Sequence, residues 1–226
     1  GVSDYGDLLL MPSQGKIYFD NGFKSNSAKS YRSTFQKKNE KASPGFYQVK
    51  LDKHDIDVEL STSKRAGMHR YRFNKSGEAH VILDLAHRDE LLDDTIIVEG
   101  KRIVEGKRIS KAWAQEQHFY FSLEFSKEFI QQNFDSSGKK AAFTFEVEAG
   151  ESIFVKVGMS AVSIAGAREN LKAEIEGFDF NALKAAAEET WEKALHKIEV
   201  QDDDQDKLSI FYTALYHSML CLLYTS

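Results

Sequence analysis

Three aspartates alternate in the stretch QDDDQDK: Asp202, Asp204 and Asp206. A D-x-D-x-D run opens a calcium loop, where side-chain oxygens on alternate residues face one ion. The rest of that pattern is missing. Lys207 stands where the turn glycine belongs, and Thr213 where a bidentate glutamate is needed. Helix capping is the better reading, because carboxylates ahead of a first turn meet the positive end of the helix dipole. Asp4 and Asp7 bracket Tyr5-Gly6. Two carboxylates can share acid–base work, but this close together, in a loop before a strand, they suit turn hydrogen bonds.

The seven histidines include no H-E-x-x-H pair. His69 and His80 fall in strand-like stretches and read as surface or hydrogen-bonded strand histidines. His217 follows Tyr216 on a helix with an apolar face. It is read as a surface group, with a polar cavity as the other place it could point. Cys221 is the one cysteine, which rules out an internal disulfide and a zinc site built on several thiolates. Asn74-Lys75-Ser76 fits a glycosylation sequon, a tripeptide that chance often produces. There is no glycine-rich phosphate loop and no G-x-S-x-G. Trp113 and Trp191 are the two tryptophans, and core packing is expected of both.

The elements that position these residues change character along the chain. The 226 residues are 42% hydrophobic and 29% charged, with net charge −5. Such a chain builds a core, and its acidity argues against nucleic acid as a partner. No apolar run approaches the ~20 residues of a membrane span. DLLLMP and GKIYFDNG read as short strands, the second ending in Asn-Gly turn chemistry. Residues 26–42 read as a polar loop. Tyr47, Val49 and Leu51, then Ile56, Val58 and Leu60, alternate with polar residues, the mark of a strand with one buried face. AHVILDLA is continuously apolar and suits a strand covered on both sides. VEGKRI occurs at 98–103 and again at 104–109; Glu-Gly-Lys in each copy reads as a tight turn of a small meander. QHFYFSLEF, KAAFTFEVEA and SIFVKVGMSAVS complete the strands.

Past Ser163 the spacing becomes helical. AGARENLKAEIEG ends at Gly177, a suitable C-cap. In FDFNALKAAAEETWEKALHKIEV, Leu183, Ala187, Trp191 and Leu195 share one face, after an N-cap region at 179–181. A third helix, DDDQDKLSIFYTALYHSML, carries an apolar stripe that needs a partner. Strands followed by helices imply an all-β domain, most simply a two-sheet sandwich, leading into a helical one.

Several stretches resemble the N-terminal part of glycoside hydrolase family 92, the exo-acting α-mannosidases. They are GVSDYGDLLLMPSQGKI, ASPGFYQVKLDKHDIDVELSTSKRAGMHRYRF, ISKAWA with FYFSLEFSKEF, KVGMSAVSIAGARENL, and WEKALHKIEV leading into FYTALYHSML. They run in order from Gly1 to about Leu220.

The resemblance implies a mainly β fold: a β-supersandwich, linker helices, and the first helix of a truncated (α/α)6 barrel. The domains expected are the sandwich at 1–163, the linker at 164–200 and the start of the barrel at 201–220. It also implies an inverting, calcium-dependent enzyme that removes mannose from α-mannosides and is secreted or periplasmic. The catalytic carboxylates and the calcium ligands belong to the barrel beyond this chain. Its partners would be mannose-containing glycans and the missing barrel, and the fragment alone should be inactive. Ser3 and Asp4, at the tail of a sugar-site segment, and His217, as an inward residue of the first barrel helix, are the candidate substrate-binding residues. CLLYTS, residues 221–226, back-translates to a transposon end used in sequencing libraries and is expected to be an adapter scar. The alternative is a free-standing, non-catalytic carbohydrate-binding sandwich that uses exposed aromatics such as Trp113.

Overall fold

The computed structural model describes residues 8–24 and 27–219. Ser3, Asp4, Cys221 and the CLLYTS segment lie outside them. The described chain forms β1 (Leu9–Gln14), β2 (Lys41–Ser43), β3 (Phe46–Leu51), β4 (Ile56–Thr62), β5 (Ala66–Phe73) and β6 (Gly77–Asp84). It continues with β7 (Glu90–Glu99), β8 (Ile103–Lys111), β9 (Gln117–Phe125), β10 (Gln131–Phe134), β11 (Lys140–Val147) and β12 (Ser152–Ser160). Three α-helices follow: α1 (Ile164–Glu174), α2 (Phe180–Leu195) and α3 (Gln205–Met219).

The strands make two antiparallel sheets. The smaller has the order β1-β6-β11-β10, and the larger β2-β3-β4-β5-β12-β9-β8-β7. The alternation read in the sequence sets the faces. Val49 pairs with Val58, and Val58 with Tyr71, so one row of side chains faces inward. Those residues join Val81, Leu83, Phe143 and Phe145 of the smaller sheet in one core. Phe125, Phe129, Phe143 and Phe145 form its aromatic centre, with ring centroids 5.1–6.4 Å apart. Tilted and edge-to-face pairs of this kind add to simple burial.

AHVILDLA is covered on both sides as expected. β6 is a central strand whose inner face meets the core, while Ile82 on its outer face packs with Tyr31 and Ala142. The cover on that outer side is the segment read as the strand GKIYFDNG, and this is a correction. Ile17 and Phe19 lie against Ile82 and Ala142 without joining a sheet. Tyr31 N–H donates to Asp20 C=O at 2.9 Å, and Lys140 Nζ to Phe19 C=O at 2.9 Å. The alternation of Ile17 and Phe19 serves a strap laid across the sheet.

The outer face of the larger sheet receives α1 and α2. Ala66, Met68, Leu171, Ile175 and Phe180 make a second core there. α1 lies so close to β12 that a Cβ at Gly158 would stand 2.2 Å from Ala167 C=O. Ser163 caps α1 through Gly166 N–H at 3.0 Å, and Asp179 caps α2 through Ala182 N–H at 2.9 Å. α1 ends at Glu174, short of the glycine expected to stop it; Gly177, at φ +66°, turns the connection to α2.

Candidate functional site

The sandwich and the helices meet around an open cavity of about 700 Å³. Its sandwich wall is the β4–β5 turn, Thr62 to Arg65, with Gly45 from the β2–β3 turn. Glu174 closes one side from the end of α1. Leu183, Ala187, Thr190 and Trp191 of α2 form the opposite wall, and Tyr216 of α3 leans in from the far end. The Trp191 and Tyr216 rings meet at 70° with centroids 4.7 Å apart.

Glu174 is locked in place. Its carboxylate accepts from Ser63 Oγ at 2.7 Å, Arg65 N–H at 2.8 Å and Arg65 Nε at 2.7 Å. Burial alone would raise its pKa, but those donors outweigh it and hold the carboxyl below its usual range. It is therefore an ionised structural clamp and a poor proton donor near neutral pH. Among the described residues, no second carboxylate lines the cavity. An inverting glycosidase needs two, ~6.5–9.5 Å apart with room for water between them. The described residues of the cavity supply no acid–base pair.

The sequence candidates are scattered. His217 lies on the exposed side of α3, its ring 5.7 Å from that of Tyr216, one residue outside the cavity lining. Ser3 and Asp4 fall outside the described residues. Of the aspartates ahead of α3, Asp204 caps the helix and Asp202 holds the turn before it. Asp204 Oδ1 accepts from Asp206 N–H at 3.0 Å and Lys207 N–H at 3.3 Å, and Asp202 Oδ1 from Asp204 N–H at 2.8 Å. Among the described residues, no cluster of three or more His, Cys, Asp or Glu could hold a metal ion. The described residues do not fit a calcium site.

His69 and His80 are satisfied strand histidines, as read. His69 Nδ1 is 2.6 Å from the Tyr71 hydroxyl, and burial pushes its pKa down to about 4. His80 Nε2 donates to Gly15 C=O at 2.6 Å, leaving Nδ1 to accept from Thr144 Oγ1 at 3.0 Å. Asn74 spends its amide on Asp55 C=O at 3.0 Å and Asp57 Oδ2 at 2.9 Å. Trp113 overturns the core-packing expectation: it is 73% exposed, beyond the end of β8. Trp191 is half-buried and lines the cavity. The Thr62–Arg65 turn and Glu174 were missed in the sequence. Their partnership spans more than 100 residues, and no local pattern signals it.

The family model for the glycosyl hydrolase family 92 N-terminal domain matches residues 1–160, and that for the family 92 catalytic domain matches residues 166–222. The chain belongs to glycoside hydrolase family 92. Its fold superposes on a family 92 α-mannosidase from Bacteroides thetaiotaomicron with TM-score 0.86 and 30% identity, over 95% of this chain and 32% of that one. That protein has also been solved with mannoimidazole, at the same identity and TM-score. A family 92 inverting mannosidase from B. thetaiotaomicron VPI-5482 shares the fold at 24% identity, with TM-score 0.79 over 94% of this chain and 29% of that one. The chain therefore spans about a third of the length of these relatives. No curated protein matches it.

Proposed function

We propose that this chain is the N-terminal part of an exo-acting α-mannosidase that hydrolyses α-mannosides with inversion. The observation that carries this is the match to a solved α-mannosidase across 95% of the chain at 30% identity. In this reading the sandwich, 1–163, is a scaffold, the linker at 164–200 sets the approach of the helices, and 201–220 begins the barrel. One carboxylic acid protonates the leaving oxygen while a carboxylate activates water on the opposite face. Both carboxyls, with the calcium ion, are assigned to the barrel that would follow this chain. Ser3, Asp4 and His217 remain the candidates on the substrate side. The parent is proposed to be secreted or periplasmic.

The test compares this chain with a polypeptide continued through the rest of the catalytic domain. The longer protein is expected to release 4-nitrophenol from the α-mannoside but not the β-mannoside. A chelator should stop it and calcium restore it. This chain alone should release none. Hydrolysis by the short chain, or a longer chain indifferent to α-mannosides, would overturn the reading.

A further inference from the structure

The cavity between the β4–β5 turn and the helices is built like a binding site and lacks the means to cleave. Its volume, about 700 Å³, lies within the range of ligand pockets, ~300–1,000 Å³. Trp191 and Tyr216 are its two aromatic lining residues. The Trp191 N–H, the Tyr216 hydroxyl and the Lys64 ammonium, all in the lining, have no hydrogen-bond partner among the described residues. The polar wall facing them is already organised, since Glu174 fixes Ser63 and Arg65 and neutralises the guanidinium. What remains is an open pocket with unpaired donors beside two aromatic rings.

Such a lining suits a molecule with many oxygen acceptors on one side and C–H groups on the other. We propose that the cavity is a non-catalytic site for a neutral hexopyranoside. Ring C–H groups pack on the Trp191 and Tyr216 faces. Hydroxyl and ring oxygens accept from the indole N–H, the phenol O–H and Lys64. A sugar held there keeps its glycosidic bond, because the one carboxylate present is committed to Ser63 and Arg65. The choice of an α-mannoside as first ligand rests on the mannosidase reading; the site itself does not.

The test uses this chain with Trp113→Phe, which leaves Trp191 as the only tryptophan. Its fluorescence is titrated with methyl α-D-mannopyranoside, then with the α-glucoside and α-galactoside. A saturable change with a millimolar midpoint is expected with the mannoside. Ala186→Leu, on the exposed face of α2 at the cavity mouth, should weaken it about tenfold or more. Lys64→Ala, at an exposed turn, should weaken it too, with circular dichroism unchanged in both. A response to another hexoside but not to the mannoside would uphold the site and count against mannose as its sugar. No response to any of the three up to about 50 mM, or a response that survives Ala186→Leu, would overturn the proposal. Neither result bears on hydrolysis by the longer protein.

Discussion

The same six residues, VEGKRI, occur twice in succession and do opposite things. The first copy, 98–103, makes the β7–β8 turn. Gly100 sits at φ +63° with open space around it. Glu99 is half exposed, and Arg102 is half exposed beside Glu128 at 3.9 Å. The second copy, 104–109, lies within β8. A Cβ at Gly106 would stand 1.9 Å from Thr95 C=O. Glu105 is buried, holding Arg168 of α1 and accepting from Ser122 Oγ at 2.8 Å. Arg108 is fully buried and grips the backbone after β6 through Leu85 C=O, at 2.7 Å, and Arg88 C=O. Sequence sets what a hexapeptide can do, and its neighbours decide which of those things it does. Reading both copies as turns was half right: β8 needs length to pair with β9, so the second copy must be extended.

This contrast can be broken at matched positions. The arginines should differ most. Arg108→Ala strands the buried Leu85 carbonyl and the part-buried Arg88 carbonyl and leaves a hole, and should cost about 3–5 kcal/mol in urea unfolding. Arg102→Ala, a surface change, should stay within about 0.5 kcal/mol. Equal losses would show that burial does not separate the copies.

The glycines come next. Gly106→Ala drives a methyl into backbone that cannot yield and should cost about 3 kcal/mol. Gly100→Ala meets no atom and bears only the left-handed penalty, about 1 kcal/mol.

The glutamates give the smallest separation, but with a pH signature. Glu105→Gln weakens a charge-assisted pair with Arg168 and should cost about 1–3 kcal/mol near neutral pH. The hydrogen bond from Arg168, with that from Ser122, holds the Glu105 carboxyl below its ordinary range. A carboxyl whose folded pKa is lowered stabilises the fold above its unfolded value, and that stabilisation is lost as pH falls through the folded value. The gap between wild type and Glu105→Gln should therefore start to narrow below the ordinary glutamate value, about 4.3, and close only below the lowered folded value. A gap that persisted there would assign the loss to packing.

Much of the architecture was legible because strand burial repeats every two residues. The rows at Val49, Val58 and Tyr71 follow it, as does the change to helical spacing after Ser163. Alternation says nothing about what lies next to a segment. Ile17 and Phe19 have strand periodicity, yet they serve a strap because β6 and β11 need a cover there. Trp113 looked like core by residue type and stands in solvent beyond β8. The site was least legible. Glu174 meets Ser63 and Arg65 only once α1 has crossed the sheet, and of the residues that family resemblance named, Ser3 and Asp4 lie outside the described part of the chain and His217 on the exposed side of α3.

The central claim is that this chain is the front of an inverting α-mannosidase. The most direct measurement is a proton NMR time course of the longer polypeptide acting on an α-mannoside. The account predicts that the first mannose released is the β anomer, which then mutarotates. If the α anomer appears first, or no mannose is released, the claim is contradicted.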